Sequence, residues 1–217
     1  MDQLFFHWVG VNTLLAVIPV LAAYALRAIA RKRVEISSVT FWTAMVLLGA
    51  IWLAFLPNTC YLLSEWRHLP VALRFSYYLP IEKMDSKVAP NVMLVSLFFL
   101  CYSGLGAMTF ALAIRPIAGM MRRAGVKLWL VGIPFFILMS VGVYLGLVLR
   151  FNSWNLLDRL GEIWGAVSSI FYRPMLGLFV LGFAGFLWLL FIVFDIWIDG
   201  FVYRFFGRKP ECRPRNS

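Results

Sequence analysis

MLGLFVLGFAGFLWLLFIVF, the segment from Met175 to Phe194, contains no charged side chain. A helix needs about 20 apolar residues to cross the hydrocarbon core of a bilayer, which is about 30 Å thick. The whole chain has the same character, since 62% of its residues are hydrophobic, 14% are charged and its mean hydropathy is +0.84. Too little polar surface remains to cover a water-soluble globule. The sequence therefore predicts an integral membrane protein.

Four further stretches resemble this one in length and apolar character, and none alternates polar and apolar residues as a membrane β-strand does. We therefore predict an all-α integral membrane protein in which residues 1–217 form a single polytopic domain. The five predicted transmembrane helices are 9–26, 41–63, 91–114, 128–149 and 175–194.

The distribution of charge predicts the orientation of the helices. The chain has 20 Lys and Arg residues against 10 Asp and Glu, and most of the basic residues lie after the first, third and fifth spans. By the positive-inside rule these connections are cytoplasmic, which places the N-terminus outside and the C-terminus in the cytoplasm. Basic residues in short loops beside a membrane favour anionic lipid headgroups at the cytoplasmic face as partners, rather than nucleic acid.

This orientation makes 64–90 and 150–174 the outer loops. The second contains apolar residues at helical spacing between Asn155 and Phe171, which predicts a short helix lying in the membrane interface.

A polar stripe lies at the end of the second span, in the segment FLPNTCYLLSEWRHLP from Phe55 to Pro70. Its polar members are spaced by three, four and three residues, which places them on one helical face. They are Asn58, Tyr61, Glu65 and His68.

Two interpretations of this stripe stay open. In the first, Pro57 kinks or ends the helix, and Asn58 or Thr59 caps the helix that restarts. In the second, the stripe lines a pocket in which Glu65 and His68 share a proton or hold a metal ion. The further acid and imidazole candidates for a metal site are His7 and Asp158.

A second polar cluster, LRFNSWNLLD from Leu149 to Asp158, follows the fourth span. Arg150 is suited to grip an anion such as a phosphate, with Asn152 and Ser153 as further ligand-binding candidates. The alternative is that these residues, with Trp154, cap and anchor the end of the helix. Both polar clusters are predicted to lie on the outer side of the membrane.

The remaining polar residues of the spans are predicted to have structural roles. Tyr102 and Ser103 are expected to make hydrogen bonds between helices. Asp195 and Asp199 are expected to be neutralised by Arg204 and Lys209, which are near them in sequence.

The two polar clusters resemble those of bacterial integral membrane proteins that carry domain of unknown function 1361. The resemblance rests on FLPNTCYLL at 55–63 with His68 downstream, and on GVYLG at 142–146 leading to RFNSW at 150–154. It implies a multi-pass protein of the bacterial inner membrane and no established activity. In that family an Asp commonly stands at the position of Glu65, an acidic residue at that of Asn155 and an Arg at that of Leu147. Glu65 keeps the negative charge, but Asn155 and Leu147 each lack a charge of the family pattern, which weakens the argument that the site must be strongly charged.

The sequence favours a bacterial inner-membrane protein with an outward-facing polar pocket for a lipid headgroup or another polar ligand. Two alternatives stay open: an enzyme, metal-dependent or hydrolytic, that acts on a lipid-linked substrate at the periplasmic face, and a structural or accessory subunit without a site. No cofactor is indicated, and a second copy of the chain and another membrane protein are both open as partners.

Overall fold

The computed structural model describes residues 3–35, 37–69, 89–147 and 160–207. All regular secondary structure in these ranges is helical. The helices are α1 (Gln3–Arg31), α2 (Ser38–Ser64), α3 (Ala89–Arg123), α4 (Leu128–Leu147), α5 (Leu160–Tyr172) and α6 (Pro174–Phe206), with a 3-10 turn at Glu65–His68.

The length and composition of five of these helices suit them to cross a membrane, which confirms the predicted number of spans. The membrane-crossing candidates are Val9–Arg31, Ser38–Ser64, Ala89–Arg123, Leu128–Gly146 and Pro174–Phe206. Large apolar side chains face outward on several of them, including Leu14, Leu94 and Leu189, whose exposed fractions are 69%, 66% and 61%. Lipid tails would cover such side chains, whereas water would not favour their exposure.

The helices that contain the third and fifth predicted spans extend beyond them. The predicted spans end at Ile114 and Phe194, whereas α3 continues to Arg123 and α6 to Phe206. The connection between α3 and α4 is therefore much shorter than the predicted loop that began at Arg115. The charged residues in these helical extensions form ion pairs with each other.

Local backbone chemistry explains where several helices begin and end. Ser37 precedes α2, and its hydroxyl accepts a hydrogen bond from the Thr40 amide at 3.3 Å. Pro174 occupies the first position of α6, where its missing N–H costs nothing. Beyond α3, Gly125 adopts a φ of 73°, and the amides of Gly125 and Val126 donate back to Arg122 and Met121. This is a Schellman motif, which requires the left-handed conformation that glycine adopts readily.

Helix α3 lies at the centre of the bundle. It packs against α1, α2 and α6, and 56% of its apolar window is buried, compared with 28% or less in the other spans. On one side α1 packs against α2, and on the other α4 packs against α6. The two sides meet in a core that contains Leu56, Phe110, Phe136, Val143 and Leu187.

Glycines let α2 approach its neighbours closely. A Cβ on Gly106 of α3 would lie 2.7 Å from Leu62 Cβ and 2.9 Å from the Leu63 backbone nitrogen. On α4, Gly142 faces Pro57, and Gly146 packs against the hydroxyl end of Tyr61. Small residues at such crossings are typical of membrane helix packing.

The described part of the second predicted outer loop contains the expected short helix. It forms α5 (Leu160–Tyr172), which packs against α4 and α6, while residues 155–159 of the predicted helix lie outside the described residues. Its location in the plane of the membrane interface stays a prediction.

Candidate functional site

The polar stripe of α2 lies on a helix that runs without interruption through Pro57 to Ser64. The Asn58 side-chain amide donates to the Phe55 carbonyl at 3.1 Å, and the Thr59 hydroxyl donates to the Leu56 carbonyl at 2.7 Å. Both side chains therefore bind carbonyls of their own helix. The prediction that Asn58 or Thr59 caps a restarted helix is wrong, because α2 continues and no new set of free amides begins there.

The chain changes its helical geometry at Glu65. The Glu65 amide donates to the Leu62 carbonyl and closes α2, and residues Glu65–His68 form one 3-10 turn. This turn brings His68 Nε2 to 3.6 Å from Glu65 Oε2. The Glu65 side chain is 17% exposed and the His68 side chain 49% exposed. A ligand that approaches from outside the bundle would therefore meet the imidazole before the carboxylate.

Two other helices place polar groups near the Glu65–His68 turn, since α3 packs against the turn and α1 packs against α3. Tyr102 of α3 donates from its hydroxyl to the Val9 carbonyl of α1 at 3.4 Å, and Thr13 donates to the same carbonyl at 2.8 Å. Asn12 and Thr13 neighbour the Tyr102 hydroxyl, and Glu65 lies close enough to act on it through its charge. We refer to Asn12, Thr13, Glu65, His68 and Tyr102 as the Glu65–His68 cluster.

The bond from Tyr102 to Val9 confirms that Tyr102 joins two helices. The second predicted bridging residue, Ser103, has a buried hydroxyl that makes no hydrogen bond within the described ranges. Sequence reasoning did not include Tyr102, Asn12 or Thr13 in the candidate site. In the sequence, these three residues stand out only as polar residues within apolar spans. Their positions along the chain do not show that α1 and α3 pack together near Glu65.

Tyr61 has a packing role at this level of the bundle, since its hydroxyl end rests on Gly146 of α4. The contact brings α4, one residue before its end at Leu147, against the last turn of α2. Arg150, Asn152, Ser153 and Asp158 lie outside the described residues, so their participation in a site stays a prediction. His7 is exposed on α1.

A metal site is not evident in the part of the chain that the structure describes, where no three His, Cys, Asp or Glu residues are grouped closely enough to hold an ion. Asp158, another predicted metal ligand, lies outside the described residues. Within the described ranges, Glu65 and His68 supply one carboxylate and one imidazole.

A second group of polar residues joins α3 to α6. Arg115 Nε lies 3.4 Å from Asp195 Oδ1, Arg122 Nη2 lies 3.6 Å from Asp195 Oδ2, and Arg115 also donates to Asp199. Asp195 and Asp199 were predicted to pair with Arg204 and Lys209. Among the described residues this prediction is wrong, because α3 packs against α6 and supplies their partners from Arg115 and Arg122. Lys209 lies outside these residues. We refer to Arg115, Arg122, Asp195 and Asp199 as the Arg115–Asp195 cluster.

The two clusters are well separated. Tyr102 and Arg115 belong to the same helix and lie about 20 Å apart along its axis, at about 1.5 Å of rise per residue. That distance is a large part of the thickness of a bilayer core. Polar chemistry is therefore concentrated toward the two ends of an apolar bundle.

The five apolar helices and the polar clusters toward either end define a polytopic α-helical membrane protein. A family model described as a protein of unknown function (DUF1361) matches residues 11–191, from within α1 to within α6. The chain belongs to this family, as its sequence motifs predicted. No curated protein and no solved structure matches the chain.

Proposed function

We propose that this is a bacterial inner-membrane protein whose Glu65–His68 cluster faces the periplasm and binds the polar headgroup of a lipid or a similar polar ligand. The orientation is supported by the excess of basic residues in the connections at the opposite ends of the helices.

The observation that carries the proposal is the pair formed by His68 and the largely covered Glu65, with 3.6 Å between Nε2 and Oε2. A carboxylate in a partly apolar environment needs partners that donate hydrogen bonds or carry positive charge. Here the imidazole lies at the exposed side, and the single O–H of the nearby Tyr102 is donated to the Val9 carbonyl. This arrangement favours a ligand that itself donates hydrogen bonds to Glu65.

Arg150 would supply the complementary group for a phosphate or another anion, since a guanidinium binds two oxygens at once. It follows Leu147, the last residue of α4, by only three positions, and three residues of chain span at most about 11 Å. Gly146 contacts Tyr61 at the last turn of α2. In this proposal Asn58, Tyr61, Asn152 and Ser153 orient the ligand between Arg150 and His68.

The experiment that tests this function is identification of the lipid or small polar molecule retained by the purified full chain, by native mass spectrometry. Glu65→Gln keeps the size of the side chain and removes its charge, and we expect it to lower ligand retention at least about tenfold, the loss of one charge-assisted hydrogen bond. His68→Ala and Arg150→Ala should act in the same direction. Glu35→Gln, at an exposed turn after α1, is the matched control and should retain the ligand.

Retention of the same ligand by Glu65→Gln, His68→Ala and Arg150→Ala would contradict the proposal. Loss of the protein itself from the membrane in these variants would instead favour a structural subunit. If the unmodified chain converts an added lipid-linked substrate and Glu65→Gln does not, the alternative that this protein is an enzyme would be favoured.

A further inference from the structure

A cavity of about 320 Å³ lies between α2, α3, α4 and α6, on the side of the bundle away from the Glu65–His68 cluster. Much of its lining is aromatic and includes Trp52, Phe135, Phe136, Trp188 and Phe191. The volume is at the lower end of the range for ligand pockets, about 300–1,000 Å³. It suits a segment of one apolar chain rather than a whole lipid.

The wall of this cavity is fixed in place and presents apolar surface. The Trp52 indole N–H donates to the Ala113 carbonyl at 2.9 Å, so its polar atom is occupied by α3. The same indole stacks on Phe135 with 5.7 Å between ring centroids and an angle of 8°. Gly132 also lines the cavity, and among the described residues a Cβ added there would meet only the Phe136 ring, at 3.8 Å. Glycine at this position keeps space open beside the aromatic rings.

One end of the cavity is charged. Arg122 and Asp195 both line it, and the Arg122 side chain is 39% exposed. The cavity lining itself has one basic and one acidic group, but the exposed residues Arg123 and Lys127 are direct chain neighbours of the lining residues Arg122 and Leu128. They add positive charge around this end of the cavity. The contact of 3.6 Å between Arg122 and Asp195 is longer than the 2.7–2.9 Å or so of a strong charge-assisted hydrogen bond. A guanidinium has five N–H donors, so Arg122 can contact Asp195 and still bind a phosphate on its exposed side.

We propose that this cavity binds one acyl chain of an anionic phospholipid from the adjacent leaflet, and that Arg122 binds the phosphate of its headgroup. The charge complementarity between a basic mouth and an anionic headgroup selects this occupant, and the aromatic walls accommodate its chain. Trp129 lines the cavity and is 57% exposed, and tryptophan is a residue type enriched at membrane–water interfaces. This site is separate from the Glu65–His68 cluster and does not depend on the function proposed there.

The test is native mass spectrometry of the purified full chain after exchange into mixed phosphatidylglycerol and phosphatidylcholine. Both lipids carry a phosphate, but only phosphatidylcholine adds a trimethylammonium cation, which basic residues at the mouth would repel. We therefore expect the unmodified protein to retain phosphatidylglycerol in preference to phosphatidylcholine by at least about tenfold. Arg122→Gln should reduce this preference to about one. Arg31→Gln, an exposed basic residue at the end of α1, is the matched control and should keep the preference.

A second variant tests the cavity itself. Gly132→Leu fills the space and should abolish retention of the lipid, whereas Gly185→Leu, at an open position of α6, should not.

Equal retention of the two lipids by the unmodified chain, or an unchanged preference in Arg122→Gln, would overturn the proposal. Retention by a folded Gly132→Leu protein would also overturn it. If Gly132→Leu does not fold, the lipid preference of Arg122→Gln decides between the outcomes. This variant should fold, because the Arg122 side chain is 39% exposed and is not part of the core. Glu65→Gln should leave this lipid in place, which separates the two sites.

Discussion

At the scale of single residues, glycines determine how closely the central helices approach. Gly106 touches the backbone of α2, whereas a Cβ on Gly104 of the same helix would meet no atom of a neighbouring described residue within 4 Å. Both residues are small and apolar, and the sequence alone gives no reason to treat them differently. The structure distinguishes them because only Gly106 lies at the crossing with Leu62 and Leu63.

We expect Gly106→Ala to destabilise the protein by about 1–3 kcal/mol, because the added methyl group would overlap the α2 backbone, which cannot move aside as a flexible side chain can. Gly104→Ala adds the same methyl group to α3 in open space and should be close to neutral. Thermal unfolding of both variants in one detergent measures the difference. Equal unfolding temperatures would show that α2 and α3 are not in close contact at Gly106.

At the scale of helices, the Arg115–Asp195 cluster joins the central helix to the last one. Asp195 lies within 3.4 Å of Arg115 and 3.6 Å of Arg122, and its side chain is 15% exposed. Asp199 contacts Arg115 but is 38% exposed. A charged group that loses its partner where water is scarce lowers the free energy of unfolding, whereas an exposed charged group is solvated by water instead.

Asp195→Asn should therefore destabilise the protein by about 1–3 kcal/mol, since two guanidinium groups lose a charged partner. Asp199→Asn should have a smaller effect, up to about 1 kcal/mol, as expected for a more exposed pair. The midpoint of thermal unfolding and its dependence on salt concentration measure both effects. A larger loss in Asp199→Asn than in Asp195→Asn would contradict this assignment.

At the scale of the whole molecule, the bundle has a polar cluster toward each end. The Glu65–His68 cluster gathers residues from α1, α3 and the turn after α2, and the Arg115–Asp195 cluster gathers residues from α3 and α6. The charge pattern predicts that the first lies at the periplasmic face and the second at the cytoplasmic face.

Thiol labelling with a membrane-impermeant maleimide tests this orientation. In a chain with Cys101 and Cys212 changed to Ser, Trp66→Cys should react in cells whose outer membrane is permeable, because the turn after α2 is predicted to face outward. Val34→Cys, in the turn between α1 and α2, should react only after the inner membrane is disrupted. Both positions are exposed, at 40% for Trp66 and 99% for Val34, so accessibility within the protein does not limit either reaction. The reverse labelling pattern would show the opposite orientation.

The number, order and approximate positions of the spans follow from the sequence alone, because crossing a bilayer requires a continuous apolar segment, which is a local property. The closeness of Glu65 and His68 is equally local, since they are three residues apart in one turn. The sequence did not determine the true ends of α3 and α6, the partners of Asp195, the contact of Tyr61 with Gly146 or the place of Tyr102 beside Glu65. Each of these depends on which helices pack together and at what level. That choice is made by contacts between residues far apart in the chain, so only the tertiary structure decided it.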